Sequence, residues 1–249
     1  MMPSAPRHGR REAGYDARVA ITPGNVDTVV LDIDGTLVDS NYHHTIAWGR
    51  AFRRLGHVVP HWRIHRCIGM GGDRLVPSLV GEEVDRELGD EMRDTWASEV
   101  QRILYEIEPL ECAPELLEEL DRRPVKVVLA SSGKPEHTEH SLHVLGVTGG
   151  GGSSKDPDVD NVETAGDAAT KPAPDLLDKA VASVDGNASI VIGDSVWDAE
   201  AAKRHGAPMI GLLTGGFGRD ELLGAGAVRV FEDVRELLEH LDELVPPPR

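Results

Sequence analysis

The chain has 249 residues, enough for one large domain or for a core with a smaller second unit. Its 40% hydrophobic and 28% charged residues are ordinary for a globular protein, and a formal net charge of −17 argues against nucleic acid or an anionic membrane surface as a partner. No apolar run approaches the length of a membrane span, so no transmembrane helix is expected.

In chain order, residues 1–26 mix Arg, His, Pro and Gly without an apolar stretch and read as a disordered tail rather than a secretory signal. Thr28-Val29-Val30-Leu31 is an apolar, β-branched run that leads straight into Asp32-Ile33-Asp34-Gly35-Thr36. Alternation along a strand starts Asp32 and Asp34 on the same side. Like charges that close resist ionising together, and bare carboxylates at a buried strand tip cost free energy unless compensated. A divalent metal resolves both conflicts, and the pair then suits phosphoryl transfer.

After Ser40 the pattern becomes helical, with Ile46, Trp48, Ala51, Phe52 and Leu55 at helical spacing and Gly56 as a stop. A short helix is predicted over residues 61–68, followed by a Gly69-Met70-Gly71-Gly72-Asp73 break and a short apolar segment ending near Gly81. Val84, Leu88, Met92, Trp96, Val100 and Leu104 recur at every fourth position, which predicts one long helix over 82–107 or two broken near Gly89. Residues 42–111 therefore read as an all-helical insert, with 27–41 and 112–245 as the main body.

Pro114 opens a helix to Arg123, and residues 125–130 form a second buried strand ending in Ser131-Ser132-Gly133. A helix over 135–145, a loop beginning at Gly149 and a short strand around 159–164 follow. Lys171-Pro172-Ala173-Pro174-Asp175 introduces a helix to Ser183. Further strands are predicted at 188–192, ending in Gly193-Asp194-Ser195, at 208–213 and at 227–231, with a helix over 197–205. Strands alternating with helices imply an α/β fold, a three-layer α/β/α Rossmann-like core with a mostly parallel sheet. Ligands of such sheets bind at the carboxyl ends of strands, where Asp32, Ser131 and Asp194 all fall.

The Asp32-x-Asp34-Gly35-Thr36 tip, Ser131, Lys171 before Pro172, and Gly193-Asp194 with Asp198 four residues on occur in that order. Together they resemble the haloacid dehalogenase superfamily, specifically its phosphoglycolate phosphatase-like and β-phosphoglucomutase-like branch, over roughly residues 29–231. The resemblance implies that Asp32 is the nucleophile that forms an aspartyl-phosphate and Asp34 the general acid/base. It implies a magnesium ion held by Asp32, Asp34 (through its carbonyl) and Asp194, with Asp198 orienting a metal-bound water or Lys171. Ser131, Lys171, Thr36 and Ser132 would bind phosphate, and residues 42–111 would form a mobile helical cap. Gly71, Asp73 and Arg74 lie where the cap loop of that branch meets substrate. The expected partner is a small phosphorylated metabolite, in the cytoplasm. A phosphomutase sharing these motifs and a non-catalytic ligand-binding member of the fold are the alternatives. The segment 149–170 looks long for this branch.

Other features carry simpler readings. His43, His44, His57, His61 and His65 have no accompanying Cys or His-Glu pattern, so they read as solvated or packing histidines rather than zinc ligands, as do His137, His140 and His143. The glycines at 149–152 lack a following Gly-Lys-Ser/Thr and read as a loop. Trp48 and Trp96 fall on apolar helix faces and read as packing. Cys67 and Cys112 lack CxxC spacing and suit a reducing compartment.

Overall fold

The computed structural model describes residues 21–133, 135–147, 159–164 and 170–248. Among them, six strands make one parallel sheet: β1 (Thr28–Asp32), β2 (Lys126–Ser131), β3 (Asn161–Thr164), β4 (Ser189–Gly193), β5 (Met209–Leu212) and β6 (Ala227–Phe231), in the spatial order β3-β2-β1-β4-β5-β6. All five residues of β1 are buried, as expected for a strand covered on both faces, which is why it reads as an unbroken apolar run. Period-two alternation divides it. Val29 and Leu31 join one core with Leu116, Leu117 and Leu237, while Val30 joins a second with Leu176, Ala180 and Ala202. Each fully buried Val or Leu contributes about 1.5–3 kcal/mol relative to exposure.

The helices supplying these cores are α5 (Ala113–Asp121) and α10 (Val234–Glu239) on one face and α7 (Asp175–Ser183) and α8 (Val196–His205) on the other. The chain leaves β1 for β2 and β3 on one side, then returns to β4 on the other. That reversal opens a crevice at the carboxyl ends of β1 and β4, where open α/β sheets hold ligands.

Between β1 and β2 lie α1 (Asn41–Arg54), α2 (His61–His65), α3 (Gly72–Val80) and α4 (Glu82–Gln101). They enclose an apolar cluster of their own, with Trp48, Phe52, Ile64, Leu75 and Met92 at its centre. Glu99 of α4 is 3% exposed, and Arg50, Arg54 and Arg102 surround its carboxylate at 3.5, 2.8 and 3.0 Å. That ring of guanidinium groups compensates a charge that would otherwise be costly to bury.

Several expectations change in detail. α4 runs through Gly89 without a break. A Cβ there would lie 2.2 Å from Asp85 Oδ1 and 2.6 Å from Arg93 Nη2, so the glycine makes room for the 2.8 Å Asp85–Arg93 ion pair. The apolar segment ending near Gly81 is the helix α3, which its internal Pro77 conceals in the sequence. Residues 21–26, read as part of the tail, include a 3-10 turn at Pro23–Asn25 and a buried Val26. Two short helices were not foreseen, α9 (Arg219–Ala225) and α10, the latter capped by Asp233, which accepts from Glu236 N at 2.9 Å. The remaining helix, α6 (Pro135–Val144), and β3 fall where expected. Most of the 149–170 segment and residues 1–20 lie outside the described residues. No described helix is long and apolar enough to cross a membrane.

Candidate active site

Asp32 is the last residue of β1, Ser131 the last of β2, and Asp194 follows the last residue of β4. Because β1 lies between β2 and β4, parallel pairing brings the three tips together. Lys171, in the loop before α7, is 2% exposed and forms ion pairs with Asp32 Oδ1 and, at 2.6 Å, with Asp198 Oδ1. Asp198 is fixed by the first turn of α8. Its Oδ2 accepts from Ser195 N at 3.1 Å and Ser195 Oγ at 2.5 Å, while Ser195 Oγ accepts from Asp198 N at 3.3 Å. The residue read as a helper of Lys171 thus doubles as half of a helix capping box.

Asp194 accepts from Thr36 Oγ1 at 3.1 Å and from Asn41 Nδ2 at 2.8 Å. Two glycines permit this. A Cβ on Gly215 would sit 1.7 Å from Asp194 Oδ2, and one on Gly35, whose φ is +79°, would sit 2.6 Å from the same oxygen. Asp34 accepts from Ser40 Oγ at 2.6 Å and Ser131 Oγ at 3.3 Å, and its Oδ1 lies 3.1 Å from His44 Nε2.

These contacts push the two tip carboxylates apart. Burial raises the Asp32 pKa well above the usual range, and Asp198, Asp194 and Asp34 add to it against the pull of Lys171. Burial acts on Asp34 in the same direction, but the His44 ring, its hydrogen bond, that of Ser40, and Lys171 outweigh it and hold Asp34 at about 2. Burial and Asp198 push Asp194 up to about 7, against Asn41, Lys171 and Thr36. Burial would lower the Lys171 pKa, yet Asp198 and Asp32 raise it, so the ammonium stays charged.

Carboxylate oxygens of Asp32, Asp194 and Asp198 come within 4.8 Å of one another. An all-oxygen, buried donor set facing a single lysine suits a hard divalent cation such as magnesium, so the residues fit such an ion.

Of the other candidates, Ser132 donates to Gly69 O at 3.2 Å and lines the pocket above Asp32 and Asp34. Thr36 is fully buried against Asp194. Gly71 lines the pocket; Asp73 accepts from Thr170 Oγ1 at 2.5 Å and Arg74 is largely exposed, and neither reaches the pocket. Sequence reasoning missed Asn41, Gly215 and His44. Asn41 and Gly215 carry no local signal, and His44 was read as a solvated or packing residue although it stands on the Asp34 carboxylate. Its one available clue was its place a single turn into the helix that follows the motif. Trp48 and Trp96 do pack, stacked at 5.1 Å and 13°, but they also form part of the pocket wall.

A parallel α/β sheet with a buried lysine, a carboxylate cluster and a helical insert over its strand ends defines the class of protein. The family described as haloacid dehalogenase-like hydrolase matches residues 26–206. A hydrolase from Pseudomonas syringae is 36% identical, with 88% of this chain and 99% of that chain covered at a TM-score of 0.80. A β-phosphoglucomutase from Clostridium difficile shares the fold at 20% identity, with 88% and 96% covered and a TM-score of 0.73. Validoxylamine A 7'-phosphate phosphatase of Streptomyces hygroscopicus subsp. limoneus is 26% identical over 200 residues, 74% of this chain and 84% of the relative. The chain belongs to the haloacid dehalogenase-like hydrolase family.

Proposed function

We propose that the chain is a magnesium-dependent phosphatase that hydrolyses a small phosphomonoester through an aspartyl-phosphate on Asp32. The observation that carries this reading is Lys171 bonded to both Asp32 and Asp198, with Asp32 and an Asp34 held by different partners lining one pocket. Asp32 attacks phosphorus as the bond to the leaving oxygen breaks. Lys171 offsets the negative charge of the phosphoryl group, and Ser131 and Ser132 donate to its oxygens. Asp34, two residues beyond the nucleophile and held by Ser40 and His44, handles the protons. It gives one to the leaving alcohol and later removes one from the water that releases phosphate from Asp32. Magnesium bound by Asp32, Asp194 and the Asp34 carbonyl would add positive charge at the phosphoryl oxygens.

Residues 42–111 act in this reading as a cap over a core of 27–41 and 112–245 that keeps bulk water from the intermediate. The unpaired thiols of Cys67 and Cys112 suit the cytoplasm. A relative that is a phosphatase favours hydrolysis over phosphoryl return to a sugar. The test is phosphate release across a panel of small phosphorylated metabolites with and without magnesium. Magnesium-dependent release supports the proposal. Interconversion of sugar phosphates with a bisphosphate primer and little net release would make the chain a mutase, and no reaction of either kind would make it a binding protein.

A further inference from the structure

The pocket above Asp34 has a definite chemical character on the side where a leaving group must lie. The His44 ring contacts Asp34 and lies 5.6 Å from the Trp96 ring, which stacks in turn on Trp48. A continuous aromatic path therefore runs from the proton-handling carboxylate into the helical insert. Ile68, Met70, Leu104 and Ile107 extend the same wall, and Trp48, Ile68 and Ile107 are at most 5% exposed. The hydroxyls that line the pocket, from Ser131, Ser132, Thr138 and Ser141, come from the β2 end and from α6, not from the helices that carry the tryptophans.

Among the described lining residues the only lysine or arginine is Arg93, whose guanidinium already donates to Asp85 at 2.8 Å, Asp90 at 3.0 Å and Gly72 O at 3.2 Å. The free space is about 110 Å³ and has Asp32, Asp34 and Ser131 in its lining, so it bounds the leaving group to a small one.

We infer that the leaving group is a single-ring alcohol with an apolar face, laid against Trp96 and Trp48, with hydroxyls meeting its edge. This rests on the phosphatase reading, and two measurements separate the two claims. The first compares kcat/KM for benzyl and cyclohexylmethyl phosphate with that for the acyclic phosphoglycolate and glycerol 3-phosphate, all esters of primary alcohols. Burying a ring on the aromatic wall should favour the first pair by about tenfold or more. The gap should shrink to about twofold in Trp96→Ala through KM and return in Trp96→Phe. The second measures calorimetric binding of benzylphosphonate against methylphosphonate, which needs no turnover, and should show a similar ratio.

Turnover of all four esters without ring preference, or a preference for phosphoglycolate, overturns the inference and leaves the phosphatase intact. No turnover of any ester, with benzylphosphonate still preferred, overturns the phosphatase reading and upholds the pocket's chemistry. Equal binding of both phosphonates overturns the inference whatever the turnover, and this comparison in the unmodified protein stands even if the Trp96 variants fold poorly.

Discussion

Asp32 and Asp34 sit two residues apart on one backbone, yet their neighbours give them different chemistry. Lys171 neutralises the first, and the His44 ring and Ser40 hydroxyl hold the second. Removing Asp34 by Asp34→Asn should lower kcat by about 10²–10⁴, the usual worth of a positioned acid/base. His44→Ala should lower kcat by a smaller factor, about tenfold, because it removes an orienting partner but leaves the carboxylate. Steady-state kinetics on any hydrolysed ester checks both, and an equal loss in the two variants would give His44 a direct role. Gly215→Ala should displace the Asp194 carboxylate by steric contact alone and weaken magnesium binding by calorimetry. The residues of the site that could be read from sequence are those with their chemistry written locally. Asp32, Ser131 and Asp194 each follow an apolar strand, and Lys171 precedes a proline. Asn41 reaches a partner 153 residues away. Only the folded chain makes that contact, so no spacing could announce it.

At the scale of elements, the insert and the sheet meet at a clasp outside the pocket. His65 Nε2 lies 2.9 Å from Gly215 O, and the His65 ring stacks between Tyr42 at 5.0 Å and Phe217 at 5.9 Å. Arg66 lies 4.1 Å from the Phe217 centroid and pairs with Glu221 at 2.6 Å. The ion pair is exposed and adds at most about 1 kcal/mol to stability. Arg66→Ala should therefore change the melting temperature little but raise hydrogen exchange across α2 and residues 215–221, because the contact ties those two segments together locally. Unchanged exchange there would show the clasp to be passive.

At the other end of the sheet, Asp27 ties the start of β1 to the turn before β4, accepting from Thr28 Oγ1 at 2.7 Å, Asn187 N at 3.1 Å and Ala188 N at 3.0 Å. Burial would raise its pKa, but these hydrogen bonds win and lower it. A lowered folded pKa means the contribution is complete above the ordinary carboxylate value, about 3.9, and fades as pH falls through the folded one. Asp27→Ala should cost about 1 kcal/mol in neutral urea titrations, with the gap closing in acid. A gap independent of pH would contradict this. Strands with both faces buried, β1, β2 and β4, were legible as apolar runs. Helix α3 was hidden by Pro77, and α9 and α10 are too short to show a period, so burial decides them rather than pattern.

For the whole molecule, three mutually close buried carboxylates in a chain of net charge −17 are a standing electrostatic cost. Magnesium should relieve it and bind the folded state alone. At about a hundred times its Kd it should add about 2.7 kcal/mol, a rise of roughly 5–10 °C in melting temperature for a chain of this size. Asp194→Asn should abolish that rise, and chelation should reverse it in the unmodified protein. The same architecture made the fold readable. A parallel sheet with a switch point collects strand ends, so motifs far apart in sequence could be expected to converge. What the insert offers a leaving group could not be read that way, because Trp96 faces the pocket only through the packing of α1 against α4.

The central claim is that Asp32 is the atom donor to phosphorus. The direct measurement is phosphate release by Asp32→Asn under saturating magnesium, with circular dichroism to confirm folding. Loss of turnover by roughly three orders of magnitude or more, with the fold intact, is the expected result. Turnover within a few-fold of the unmodified protein would contradict it.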